Sequence, residues 1–155
     1  MRAIEGSATM GASVPSKSKA SRGDDARVCA RAACPSDRPA ALAAAASLAL
    51  AACEKTVQIV YELELRPPEK QHAPWLERVR GQAEAAFDAL EAELACTPWP
   101  RQAQRLTQAG VSAAVAWSFA QRMLPGQLST ARCPHLADFT DWAETLDVFT
   151  RAPMD

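Results

Sequence analysis

From Val111 to Ala120 eight of ten residues are apolar, and the two exceptions are Ser112 and Ser118. A helix over this stretch has almost no face suited to water. A helix that is apolar all round has to be buried, because each Å2 of apolar surface removed from water stabilises the fold by about 25 cal/mol. The stretch therefore predicts a central helix, and the rest of the chain has to supply partners that surround it. Pro125-Gly126 stops it at the far end.

The flanking segments read as helices too. After Ser36-Asp37-Arg38-Pro39, a capping residue and an early proline give the chain a helical start, and alanine and leucine dominate to Cys53. Between Thr56 and Leu65 the pattern conflicts. Val57, Ile59, Tyr61, Leu63 and Leu65 alternate as in a strand, while Val57, Val60, Tyr61 and Leu65 share one helical face. No Gly or Pro separates this segment from the alanine run and no second strand offers a partner, so it is assigned to the helix. Pro67-Pro68 ends it. Trp75, Leu76, Val79, Ala83, Ala86, Phe87, Leu90 and Leu94 then line one face of an amphipathic helix of about six turns. Thr97-Pro98-Trp99-Pro100 breaks that helix and places Trp99 in a stiff loop, read as a lid over the core in preference to a ligand platform. A last amphipathic segment carries Leu136, Phe139, Trp142 and Ala143, and Leu146, Val148 and Phe149 close the chain. No internal repeat, heptad or glycine-rich phosphate loop is present.

The expectation is an all-α bundle of about four to six helices over residues 39–155. Residues 1–38, with Ser7, Ser13, Ser16, Ser18 and Ser21 among glycines and charges, have no apolar period and read as a disordered tail. Glu5, Asp24 and Asp25 argue against a mitochondrial presequence.

Charge and cysteine usage narrow the function classes. Seventeen basic against eighteen acidic side chains give a net charge of -1, without the basic surplus that neutralises nucleic-acid phosphates. Five scattered cysteines, Cys29, Cys34, Cys53, Cys96 and Cys133, fit reduced thiols in a cytoplasmic protein rather than a disulfide framework. Their spacing, with Cys133 and His135 divided by Pro134, lacks the two close ligand pairs of a zinc site. Leu50-Ala51-Ala52-Cys53 has the form of a lipoprotein cleavage box, but it lies far from Met1 and lacks a basic region before it. The alanine run also reads as too short for a membrane span. A buried alanine-rich helix is the preferred reading, with no membrane and no nucleic acid as partners.

Leu106-Thr107-Gln108-Ala109-Gly110-Val111 opens the central helix. Thr107 can cap it by accepting a bond from a first-turn amide, and Leu106 and Val111 occupy the two positions of a hydrophobic staple. This segment resembles the start of the core helix in glutathione transferases, which commonly opens with a Ser or Thr cap, an Asp three residues later and a staple around them. Gly110 stands where that Asp would be. The loss removes a reciprocal side-chain bond and puts glycine in the first turn, which implies a weaker domain than a typical relative's. The resemblance extends to Trp75-Leu76-Glu77-Arg78-Val79 with Ala89-Leu90-Glu91-Ala92-Glu93-Leu94, similar to the family's long second C-domain helix. It also takes in Gln108 to Leu124, similar to the core helix of bacterial members, and Cys133-Pro134-His135-Leu136 with Trp142 and Phe149, similar to the closing segment. It covers about 115 residues.

The resemblance implies the all-helical C-terminal domain, which walls the hydrophobic co-substrate while a thioredoxin-like N-terminal domain binds glutathione and supplies the catalytic Tyr, Ser or Cys. The 38 residues before the helices are too few for that domain; Val14-Pro15 and Ser18 only faintly resemble its glutathione-contacting loop. No catalytic, cofactor-binding or metal residue is assigned, and glutathione enters as co-substrate only if a thioredoxin-like domain is supplied. Cys29 and Cys34 lack anything that would lower their pKa, and the other three cysteines read as small apolar residues. Tyr61 and Trp117 are the candidates for the co-substrate wall, against a core-packing role for each. His72 and His135 read as surface histidines near helix starts without a catalytic partner.

Three readings follow. The leading one is a truncated glutathione transferase-like helical domain, inactive alone, whose uncovered apolar face promotes homodimers or docking. The second is a non-enzymatic interaction module of the same fold. The third is part of an active transferase, with its N-terminal half on another chain or with residues 1–38 not reflecting the true start of the protein.

Overall fold

The computed structural model describes residues 38–152, so the sequence readings on residues 1–37, including Val14, Pro15, Ser18, Cys29 and Cys34, lie outside the described residues. Within them the protein is all-α, with five helices and no strand. α1 spans Arg38–Val60 and runs on into a π-helical turn, Tyr61–Leu65; α2 spans Ala73–Cys96, α3 Gln108–Met123, α4 Pro134–Glu144, and α5 is the single turn Asp147–Thr150.

α1 packs against both α2 and α3, and α4 closes the far side against α3 and α2. The inner face of α1 carries Ala45, Ala49, Ala52 and Thr56, spaced so that they form one stripe. Side chains this small let two helices approach α1 closely. The Thr56 hydroxyl, fully buried, is satisfied by donating to the Ala52 carbonyl at 2.9 Å. Large side chains from the other helices fill the centre: Phe87 and Leu90 from α2, Trp117 from α3, Leu136 and Phe139 from α4. Trp99 stacks edge-on against Phe139 at 5.2 Å and closes the core from the loop after α2. A second apolar cluster, Ile59, Val60, Val79, Ala83 and Leu124, sits at the end of the bundle where α1 meets α2.

The structure alters three expectations. The continuous helical segment Arg38–Leu65, 28 residues, is long and apolar enough to cross a membrane by length and composition, so the alanine run is not too short for a span; in this fold its alanine stripe is turned into the core. The end of α1 does not bury the face expected for it. Thr56, Ile59, Val60 and Glu62 are buried, whereas Tyr61 and Leu65 are exposed. The buried stripe Ala45, Ala49, Ala52, Thr56 and Ile59 fixes the phase before the π-helical turn begins and leaves Tyr61 outside at the ordinary α-helical repeat; the turn's longer repeat shifts only the residues after it. Finally, α3 is not enclosed on every side. Ala109, Ala113, Ala116, Trp117 and Ala120 are buried, but Val115 and Met123 are each 40% exposed. With half-buried Val111 and Phe119 they form an apolar stripe at i, i+4, i+8 and i+12.

The start of α3 is built as its residues require. Thr107 Oγ1 accepts from the Gly110 amide at 3.2 Å. A Cβ on Gly110 would stand 3.1 Å from Phe139 Cζ and 3.2 Å from Leu106 Cδ1. The space that an aspartate would use is thus already filled by an aromatic ring of α4 and by the staple leucine. At the other end, Gly126 with φ 74° turns the chain out of α3.

Candidate functional site

The connection between α1 and α2 reverses the chain within a few residues, because Pro67 and Pro68 cannot continue a helix and Pro74 is set for the first turn of the next. The reversal folds the start of α2 back beside the π-helical turn. Between them lies a cleft of about 590 Å3 lined by Gln58, Tyr61, Glu62, Arg66, His72 and Trp75. π-helical turns recur at functional sites, and this one carries exposed Tyr61 beside buried Glu62.

Glu62 is the cleft's internal tie. Its side chain is only 5% exposed, and a carboxylate held so far from water requires partners. It has them: Oε1 accepts from the His72 amide at 2.8 Å, and Arg66 approaches both carboxylate oxygens at 3.4 Å. Gln71 completes the tie by donating to the Leu63 and Arg66 carbonyls, each at 3.1 Å, which absorbs acceptors left over where the helix ends. His72 is the N-cap of α2. Its Nδ1 accepts from the Trp75 amide at 3.2 Å, which places the ring proton on Nε2. Tyr61 is 59% and Trp75 37% exposed, so two aromatic rings form the walls.

Of the two residues that the sequence nominates for a co-substrate wall, Tyr61 lines this cleft and Trp117 does not. Trp117 is 4% exposed and packs edge-on to Phe87 at 5.2 Å, which places it in the core. The structure does not bring the two together. Glu62, Arg66 and Gln58 escaped the sequence reading. The available signal was the Pro67-Pro68 reversal, which implies that residues on its two sides face one another.

A second polar cluster joins α2 to α4. Glu84, Asp88 and Glu91 stand along α2, and Arg132 bridges the first two, with Nη1 2.8 Å from Glu84 and Nε 2.8 Å from Asp88. The Glu91 carboxylate accepts from the His135 and Leu136 amides at 3.1 and 2.9 Å and lies 2.6 Å from His135 Nδ1. It therefore caps α4, whose own N-cap residue, Cys133, supplies no side-chain bond. His135 thus has an acidic partner, which the sequence did not reveal. The cluster does not make a nucleophile of Cys133, which is buried; desolvation, with the carboxylates of Glu91 and Asp88 behind it, pushes its thiol up to about 11. Burial likewise raises the Cys53 thiol. An activated thiol requires the opposite shift. Elsewhere the Arg101 guanidinium holds the exposed Asp138 carboxyl below the usual carboxylate range. Among the described residues no group of three His, Cys, Asp or Glu side chains is placed to hold a metal ion.

The cleft therefore offers binding chemistry, with aromatic walls, a buried tie and hydrogen-bond donors at its rim, rather than a nucleophile paired with a base. No protein-family model matches the chain, and no curated protein matches it.

Proposed function

We propose that residues 39–155 are a glutathione transferase-like C-terminal helical domain, the half that walls the hydrophobic co-substrate, and that they do not conjugate glutathione by themselves. One observation carries this reading. Helix α3, buried along its inner face, opens on a threonine side-chain cap, with Thr107 Oγ1 accepting from the Gly110 amide and Leu106 folded over that turn, the kind of start that the resemblance expects of the family's core helix. The aromatic cleft at the end of α1, with Tyr61 on its wall, supports the co-substrate role. Among the described residues there is no sheet to hold glutathione.

The test is a conjugation assay with a general aromatic electrophile on the purified chain, together with retention on glutathione-agarose. Neither turnover above the uncatalysed rate nor retention is expected. Addition of a thioredoxin-like glutathione-binding domain is expected to bring turnover that Tyr61→Ala reduces. Turnover by the chain alone would refute the proposal, as would a mixed system indifferent to Tyr61.

A second reading, a non-enzymatic docking module, is favoured by the uncovered apolar stripe Val111, Val115, Phe119 and Met123 on α3. It predicts a bound protein that shields this stripe and no activity under any pairing.

A further inference from the structure

We propose that the cleft between the π-helical turn and α2 binds planar aromatic anions, with Arg66 as the anionic anchor and Tyr61 and Trp75 as the aromatic walls. This rests on the reading of the cleft as a co-substrate wall and names the class of compound it takes.

Four of the six lining residues carry donor groups without an acceptor among the described residues: the Tyr61 hydroxyl, the Trp75 indole N–H, the His72 Nε2–H and Arg66 Nη2. The bonds made by these side chains are Arg66 Nη1 to Glu62 and to the Lys70 carbonyl, both at 3.4 Å, and His72 Nδ1 from the Trp75 amide. The carboxylate and amide acceptors in the lining are engaged, which leaves the Tyr61 hydroxyl as the one side chain there that can accept as well as donate. Glu62 Oε1 is held by the His72 amide, and Gln58 Oε1 receives Lys55 Nζ at 3.4 Å. A site whose spare groups are donors selects a ligand that brings acceptors.

Charge points the same way. Glu62 is 5% exposed and balanced by Arg66, so it presents little negative charge to a ligand. Arg66 is more than half exposed and holds Glu62 through Nε and Nη1 at the long distance of 3.4 Å, with Nη1 also on the Lys70 carbonyl, which leaves Nη2 free for a carboxylate or sulfonate. The exposed aromatic rings complete the selection, since flat apolar surfaces gain most from flat apolar ligands. A cationic aromatic would meet Arg66 at the rim and find the one carboxylate turned inward.

The test uses the full chain and three probes of one shape, 2-naphthoate, 2-naphthalenemethanol and 2-naphthylmethylammonium, titrated by calorimetry. Naphthoate is expected to bind about tenfold more tightly than the alcohol, the gain of one charge-assisted contact, with the ammonium weakest. Tyr61→Ala, at an exposed position, is expected to keep the helical circular-dichroism signal and weaken naphthoate by about tenfold. Arg66→Lys, which keeps a charge against Glu62, is expected to reduce the preference for the anion over the alcohol. Equal binding of anion and alcohol, both weakened by Tyr61→Ala, would overturn the anion preference and leave the wall reading standing. A preference for the ammonium would do the same. No binding, or binding unchanged by Tyr61→Ala, would overturn both.

Discussion

Glu91 shows how much one side chain can carry. It receives two free amides at the start of α4 and the ring of His135, where a local cap would ordinarily come from the residue before the helix. Hydrogen bonds to a charged group contribute about 1.5 to 3 kcal/mol each, and the negative charge also meets the positive end of the helix. Glu91→Ala is therefore expected to lower stability by about 2 kcal/mol, read from the urea midpoint, with a smaller loss for Glu91→Gln. Cys133 gives a pH signature. Its thiol is raised from the ordinary 9.0 to about 11 in the folded chain, so the unfolded chain loses this proton first as pH rises. The stabilising contribution is complete below pH 9 and is lost as pH climbs towards 11. The urea midpoint should fall over that window, and Cys133→Ala should flatten the fall. Unmodified Cys133 should also resist iodoacetamide at pH 8 in the native state.

At the level of elements, the packing of α4 on α3 depends on a missing Cβ. Phe139 and Leu106 occupy the space beside Gly110, so Gly110→Asp has to push a buried ring aside as well as bury a carboxylate. Gly110→Asp should cost about 1 to 3 kcal/mol, and less in a Phe139→Leu background, with a coupling of at least about 0.5 kcal/mol in a double-mutant cycle of urea midpoints. Additive effects would show that the ring does not set the requirement for glycine. The same contact bears on the sequence expectation of a weaker domain, because the acid's place is taken by aromatic packing that no local pattern announces. What was legible followed one unbroken period. In α2, Val79, Ala83, Ala86, Phe87, Leu90 and Leu94 are buried as their spacing requires. The end of α1 departs from the expected phase because the stripe of small residues Ala45, Ala49, Ala52 and Thr56, rather than the larger apolar side chains, sets which face is buried. The cleft was hidden for another reason. Its tie joins Glu62 to His72 across a chain reversal, and the sequence marks Tyr61, His72 and Trp75 for separate reasons without bringing them together.

The whole molecule is a bundle with an unfinished surface. Expected fold class and helix number match the structure, because alternating proline breaks and apolar faces allow little else. The degree of enclosure was overread. A run of alanine and valine satisfies the criterion for burial while leaving Val115 and Met123 each 40% exposed. That stripe leads to a prediction for the purified chain. Val115→Glu with Met123→Glu should change stability by less than about 0.5 kcal/mol each, as for surface substitutions, yet reduce concentration-dependent association in sedimentation velocity. A large loss of stability would show that the stripe is packed in the folded monomer, and unchanged association would place self-contact elsewhere. The remote cap on α4 has a consequence in time. The groups that hold its first turn are separated by 44 residues, so the helix can be extended by the ribosome, and can even flicker into shape, without a fixed beginning until α2 has found its place. α4 is therefore expected to settle after α2 in folding and to open before it in unfolding. Its amides should exchange with solvent as one group, faster in Glu91→Ala, while those of α2 stay protected.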